Sequence, residues 1–135
     1  MEKKIFAMSL GILIFGPAIA DDDLTGSDQL LCAPGYVTAC TADGECESGP
    51  PENWDLPEFI EVDLDNEMLS TTDSYGEDRT TLIEHLSRRD GLIFLQGVQG
   101  ENAFSIIITE ITGDMSIAIA TEGETATSFG ACTPT

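Results

Sequence analysis

The chain has 135 residues, and its 25 acidic side chains against five basic ones and a single histidine give a net charge of −20. That length suits one domain. The charge excludes a general nucleic-acid binder, because phosphates require a basic face, and it argues against adsorption to anionic membranes.

The N-terminus has the organisation of a secretory signal peptide. Met1–Lys4 is a short basic segment, and Ile5–Gly16 is an apolar run too short to span a bilayer comfortably. Ala18–Ala20 forms an A-x-A cleavage site, so residues 1–20 are expected to be removed and the mature chain to begin at Asp21. We therefore expect an exported protein, in the periplasm or outside the cell, with no membrane anchor after cleavage. The mature chain has no lysine, and its three arginines against 24 acidic residues give a charge of −21.

Four cysteines follow the cleavage site, and an even number in an exported chain predicts two disulfides. Of the three pairings that are possible, we favour Cys40–Cys46 together with Cys32–Cys132. An Asp-Gly turn at residues 43–44 can bring the first pair together, and the second pair would join the two ends of the domain. Zinc binding is the competing interpretation, which the lack of C-x-x-C spacing and the export signal disfavour.

Three zones follow one another along the mature chain. Residues 21–29 are acidic and polar, which predicts a flexible lead-in. Residues 30–55 predict a disulfide-tied, Cys-rich loop region around a short strand at 36–38. Residues 56–133 alternate short apolar stretches with turn signals about every ten to twelve residues, which predicts a strand meander and makes 30–135 a single β domain.

The strand candidates show a hydrophobic spacing of two and abundant Ile and Thr. Ile60, Val62 and Leu64 would share one face of a strand that ends in a two-residue turn at 65–66. Phe129, near the end of the chain, is expected in the core. Further strands are expected at 68–72, 92–98, 103–110, 115–121 and 125–132.

Residues 79–89 fit two structures. Leu82, Ile83 and Leu86 have the spacing of a helix face, whereas the Asp-Gly turn at 90–91 suits a strand. We favour a strand because the segments on both sides are strands. The antiparallel meander is expected to close as a small barrel, since an open sheet exposes two edges; a two-sheet sandwich is the alternative.

Few side chains suit catalysis. His85 is the only histidine, and neither Ser70 nor Ser87 lies in a Gly-x-Ser-x-Gly elbow. Two disulfides would leave no thiol free. Paired carboxylates can hydrolyse glycosides, but 24 acidic residues form many pairs by chance. We therefore expect no catalytic residue and no enzymatic activity.

Two features are candidates for binding. Asp63, Asp65 and Glu67 resemble a calcium loop in composition, but the loop lacks the Gly at its sixth position and the Glu at its twelfth that an EF-hand has, and we favour a charged hairpin tip. Trp54 would cover one end of the core or serve as a contact anchor for a partner. Apart from calcium, no cofactor is indicated.

Three segments, Leu56–Asp63, Leu95–Gly97 and Phe129–Pro134, resemble a family of small secreted proteobacterial proteins. No activity is assigned to that family, so the resemblance brings no functional residues. The leading interpretation is a non-enzymatic, exported binding module of the cell envelope. The alternative is an inhibitor of a cationic hydrolase such as lysozyme, because a charge of −21 would steer a strongly basic partner towards the protein. A carboxylate-based enzyme is the third and weakest alternative.

Overall fold

The computed structural model of the chain describes residues 23–72 and 78–135. The predicted signal peptide and its cleavage site therefore lie outside the described residues. Ten strands are present in the described ranges, and a short 3₁₀ helix, Pro51–Trp54, lies between the second and the third. In chain order the strands are β1 Gln29–Thr41, β2 Cys46–Gly49, β3 Ile60–Asp63, β4 Met68–Thr72, β5 Asp78–Leu82, β6 His85–Arg89, β7 Leu92–Gln99, β8 Asn102–Thr109, β9 Asp114–Thr121 and β10 Glu124–Pro134.

The strands form one antiparallel sheet that curls into a half-barrel, which confirms the all-β class. Their order is β5-β4-β3-β1-β10-β9-β8-β7-β6, and β2 pairs with β1 beside this path. Two meanders, β3–β5 and β6–β10, are thus joined through β1, which lies between β3 and the last strand. The inner faces of both meanders can in this way enclose one core.

The two end strands of the sheet, β5 and β6, follow each other along the chain. Between them, at residues 83–84, the backbone changes its hydrogen-bonding partner from one end of the sheet to the other. The amide of Ile83 donates to the carbonyl oxygen of Glu67 at 2.9 Å, while the next amide, that of Glu84, donates to the carbonyl oxygen of Gln96 in β7 at 2.9 Å. A β-carbon at Gly97 would lie 2.9 Å from the carbonyl oxygen of Leu82, so glycine permits this close approach. The ambiguous segment 79–89 is therefore extended, as we favoured, and it draws the two ends of the sheet together.

The core lies on the inner face of the sheet. Ile60, Val62 and Leu64 are buried together, as their spacing predicts. Leu24 is also fully buried although it lies in the acidic lead-in, and its amide donates to the carbonyl oxygen of Glu110 at 2.7 Å. The other buried members of the core are Leu30, Cys32, Leu69, Ile83, Ile93, Leu95, Ile106, Ile108, Met115, Ile117 and Cys132.

Strand β1 is the longest of the sheet, although the sequence indicates only its middle at 36–38. A bulge between Pro34 and Val37 places two residues of β1 opposite Phe129 alone on β10. The bulge shifts the alternation by one residue, so that Cys32 and Val37 both face the core. Because the bulge interrupts the alternation of buried and exposed residues, a search for a strict period of two does not detect the ends of this strand.

Phe129 is 75% exposed, so the prediction that it lies in the core is wrong. Ser128 and Cys132 face inwards and are 6% and 3% exposed. Alternation along β10 then turns Phe129 outwards, whatever its hydrophobicity. Its even-numbered neighbours, which include a disulfide cysteine, set the parity of the strand.

Both disulfides of the favoured pairing are present, which confirms it. Cys32–Cys132 joins β1 to β10, and Cys40–Cys46 joins β1 to β2. Each bridge connects residues that face each other directly in the ladder. Such bridges suit an oxidising compartment outside the cytoplasm. Within the described ranges, no helix has the length and apolar character needed to cross a membrane.

Arg88 fastens the segment before β1 to the end of β8. Its Nε donates to the carboxylate of Glu110 at 2.7 Å, and its Nη1 donates to that of Asp28 at 3.1 Å. Its Nη2 donates to the carbonyl oxygens of Leu24 and Ser27 at 3.2 and 2.9 Å. These contacts span residues 24 to 28 of the expected flexible lead-in, and we call them the Arg88 clasp.

Candidate binding groove

An apolar cleft opens on the inner face of the half-barrel. Side chains of β3 and β4 form one side of it, those of β8 and β9 form the other, and the loop after the 3₁₀ helix borders it. Phe104 and Ile119 are only partly buried there, so apolar surface remains accessible. Its apolar lining is Pro34, Val37, Leu56, Pro57, Ile60, Leu69, Phe104, Ile106, Ile117, Ile119 and Ala126, and its polar lining includes Thr71, Thr81, Gln99 and Asn102.

The size of the apolar cleft limits what can enter it. Its volume is about 110 Å³. Small-molecule sites usually start at about 300 Å³, whereas an apolar cavity of about 150 Å³ accepts benzene. The cleft therefore fits one aliphatic or aromatic side chain better than a whole cofactor.

An acidic pocket continues the apolar cleft along the same inner face. Ala39 of the pocket is paired with Ala126 of the cleft, and one ladder step further Thr41 pairs with Glu124. The lining of the pocket is Ala39, Thr41, Glu45, Cys46, Glu47, Trp54 and Glu124. We call the apolar cleft and the acidic pocket together the binding groove.

Trp54 belongs to the acidic pocket and is the last residue of the 3₁₀ helix. Its indole lies against the buried Gly49 of β2, 3.6 Å from where a β-carbon would stand, so it packs on the β1–β2 hairpin. Asp55 then takes a left-handed conformation with φ 56°, and the amide of Leu56 donates to the carbonyl oxygen of Pro51 at 3.1 Å. This turn sends the chain from the acidic pocket directly to the apolar cleft. Trp54 is half-buried, so part of its ring remains available to a ligand.

The β1–β2 hairpin tip beside the acidic pocket is held by hydrogen bonds. The hydroxyl of Thr41 and the amide of Glu45 both donate to the carboxylate of Asp43. The Thr41 hydroxyl, and then the Glu45 amide, lower the pKa of Asp43, because both stabilise its ionised form. The amide of Ala42 bonds to the turn between β9 and β10 at 3.0 Å, and the Cys40–Cys46 bridge closes the base. The backbone of the hairpin tip is thus held in place before any partner binds.

The proposed calcium ligands lie at the β3–β4 turn. The amide and the side-chain Nδ2 of Asn66 donate to the two carboxylate oxygens of Asp63 at 2.9 and 2.8 Å. These bonds, the side-chain one first, lower the pKa of Asp63. The turn spans four residues, 64–67, and not the two expected, and Glu67 has φ 56°.

Asp63, Asp65 and Glu67 do not come together as metal ligands in this turn. Across residues 23–72 and 78–135, the structure contains no group of three or more His, Cys, Asp or Glu side chains that could hold a metal ion. The arrangement is that of a charged hairpin tip.

Several groove residues have no sequence signal of their own. Glu47 lies opposite Ala39 because of the hairpin around the Asp-Gly turn, so the turn could have indicated it. Glu124 reaches the acidic pocket through the pairing of β1 with β10, which local patterns do not reveal. Of the groove residues, sequence analysis singled out Trp54 as a contact candidate, Cys46 as a disulfide partner and Ile60 as part of the apolar face of its strand.

Comparisons with known proteins find likenesses among solved structures alone. No family model matches the chain, and neither does any curated protein. A crystal structure of a DUF4251 family protein from Bacteroides eggerthii DSM 20697 is similar with a TM-score of 0.46 and 15% identity, over 87% of this chain and 89% of that one.

Proposed function

We propose that this chain is an exported, non-enzymatic binding protein of the cell envelope, whose groove takes a basic segment of a protein partner. Its strongest support is the continuity of the apolar cleft with the acidic pocket on one inner face. An apolar side chain of the partner enters the cleft. A neighbouring lysine or arginine lies against Trp54 and the carboxylates of Glu47 and Glu124, where cation–π attraction and opposite charge both favour it.

The charge distribution supports a basic partner. The described residues contain 20 acidic side chains and three arginines, a net charge of −17, and none of the three arginines lines the groove. A field of this sign accelerates encounter with a cationic protein and weakens as salt rises. The desolvated apolar anchor would set how slowly the complex dissociates.

A hydrolase inhibitor is a second candidate, favoured by the rigid β1–β2 hairpin. Asp43 and Glu45 lie in an exposed tip that the Cys40–Cys46 bridge and the Asp43 hydrogen bonds hold in place, and Glu47 follows in β2. A preorganised loop loses little conformational entropy on binding, which suits insertion into the cleft of a basic enzyme such as lysozyme.

The fluorescence of Trp54 tests the proposed function directly, because it is the only tryptophan of the chain. The probe is a short capped peptide with adjacent Leu and Arg; control peptides replace Leu by Gly or Arg by Glu. We expect a saturable change of emission with the Leu-Arg peptide and weaker binding of both control peptides.

Matched variants locate the binding. Glu47→Gln/Glu124→Gln should weaken the Leu-Arg peptide by roughly threefold to tenfold, the effect of two partly exposed ion pairs. Glu61→Gln/Glu84→Gln removes the same charge away from the groove and should change binding less than about twofold. Equal losses in both double variants would mean that only net charge matters and would contradict a groove site.

A lysozyme activity assay then separates the two candidates. An inhibitor lowers the rate of cell-wall lysis in a manner that Glu47→Gln/Glu124→Gln relieves. A binding module that is not an inhibitor leaves the rate unchanged while the peptide still binds.

A further inference from the structure

The outer face of β7–β10 is almost free of charge. These strands have 8, 8, 8 and 11 residues, and only two of those residues are charged: Asp114 and Glu124, each the first of its strand. Glu124 lines the acidic pocket on the inner face. Asp114, at the margin, is therefore the single outward charge of these four strands, and we call their outward surface the neutral face.

The neutral face bears a ridge. Phe129 on β10 and Tyr36 in the bulge of β1 stand next to each other and are 75% and 73% exposed. Ile107 continues the ridge through the ladder pairs Ile107–Ser116 and Ser116–Phe129, and it is 40% exposed. Neighbouring apolar side chains that are this exposed form a patch, and such patches often mark a surface that contacts another molecule.

A shallow dish lies directly beside the ridge. Its floor is made of small side chains on neighbouring strands, Ser105, Ala118 and Thr127, which pair with each other across the ladder. The dish has a volume of about 590 Å³, and Glu84 and His85 lie only at its β6 margin. An aromatic side chain can enter such a depression without meeting a charge on its floor.

We propose that the neutral face is a self-association surface, on which two copies of the chain pack about a two-fold axis with Phe129 of each copy in the dish of the other. A two-fold interface uses one surface twice, so the same face must present both a projection and a matching depression, as this one does. Two copies of a chain with a net charge of −20 repel each other wherever carboxylates meet, and the neutral face lets them approach without that opposition. The basic partner of the groove would find few carboxylates here: Asp114 and, at the β6 margin of the dish, Glu84.

The area of the neutral face sets the expected affinity of the dimer. Four strands about 4.8 Å apart, each of eight residues at about 3.4 Å, cover roughly 500 Å². Stable complexes bury about 800 Å² on each partner. We therefore expect a weak dimer that forms at roughly 10 to 100 µM.

Sedimentation velocity of the exported protein, from about 10 to 500 µM, tests the inference. We expect the dimer fraction to rise with concentration and to be higher in about 0.5 M salt than in about 10 mM salt, because salt screens the repulsion outside the interface. Binding of the basic peptide to the groove should have the opposite salt dependence. The two salt responses therefore distinguish failure of this inference from failure of the proposed function.

Phe129→Asp and Ile111→Asp make a matched pair of variants. Both replace a well-exposed apolar residue by an acid, and Ile111, 67% exposed, lies in the β8–β9 turn away from the ridge and the dish. Phe129→Asp should raise the dimer dissociation constant roughly 30-fold, as loss of an aromatic anchor does, with the melting temperature and Trp54 peptide titration unchanged. Ile111→Asp should dimerise like the wild type.

Two results would overturn self-association through this face. One is a wild type that stays monomeric at the highest concentration in both salts, which would leave the neutral face to another partner. The other is association that both Asp variants retain equally, which would place the contact elsewhere on the molecule.

Discussion

The long strands β1 and β7–β10 differ from the rest of the described chain in both charge and burial. They have 8 to 13 residues each and carry two charged side chains in all. The short strands β2–β6, of 4 or 5 residues, together with the turns and loops, carry the other 18 acidic residues and all three arginines. Repulsion is thus concentrated where each strand has the least apolar surface to bury, so stability should be uneven along the sheet.

The largest expected effect comes from the bridge inside the long-strand region. Cys32–Cys132 closes a separation of 100 residues, and Cys40–Cys46 closes one of 6. In the chain-entropy model the first contributes about 4.7 kcal/mol and the second about 2 kcal/mol. Replacing each pair by alanine and measuring the free energy of unfolding in urea should show that order. Equal losses would mean that the short strands matter as much as the long ones.

A smaller effect is expected where the two regions meet, at the Arg88 clasp. Arg88→Ala removes the partner of Glu110, whose side chain is only 14% exposed, and frees two backbone carbonyl oxygens. We expect a loss of about 2 kcal/mol in the free energy of unfolding. Arg89→Ala is the matched control: its guanidinium lies 5.5 Å from the Phe94 ring centre on the exposed surface and should cost about 0.5 kcal/mol. If both variants lose a similar free energy of unfolding, the Arg88 clasp makes no special contribution to stability.

The smallest effect is that of salt, and it should be local. Raising salt from about 10 mM to about 0.5 M screens the acidic regions and should raise the melting temperature by about 5 °C, or about 1 kcal/mol. Hydrogen exchange should slow in β2–β5 and stay unchanged in β8–β10. A uniform change across the sheet, or a flat melting temperature, would show that the charge is too dispersed to act locally.

The strands that sequence analysis located correctly are those whose pattern is local. Ile60, Val62 and Leu64 alternate without interruption, and the turn glycines between β7, β8, β9 and β10 mark the boundaries of these strands. The extent of β1 could not be predicted, because its bulge breaks the alternation and its partner β10 is remote in sequence. Phe129 was predicted to be buried because it is hydrophobic. Its exposure is set instead by its position in β10, where the even-numbered residues face the core.

The groove could be predicted only in fragments. Trp54 is conspicuous as the only tryptophan, and the hairpin turn at 43–44 indicates that the Asp43 region forms a tip. The apolar cleft, by contrast, requires the inner faces of β3, β4, β8 and β9 to meet, which depends on the position of β1 between the two meanders. No local pattern contains that information.

The position of β1 between β3 and β10 also affects how fast the protein folds. The β1–β2 hairpin and the meander from β6 to β9 can form as soon as their residues are available, whereas β1 cannot pair with its long partner until the eleven-residue strand β10 exists. Pairing over so long a separation slows folding. Until then the thiol of Cys32 is free to react with Cys40 or Cys46, so an oxidising compartment that also reshuffles wrong pairs would speed maturation. The pairing of β10 with β1 is therefore the step that completes the sheet.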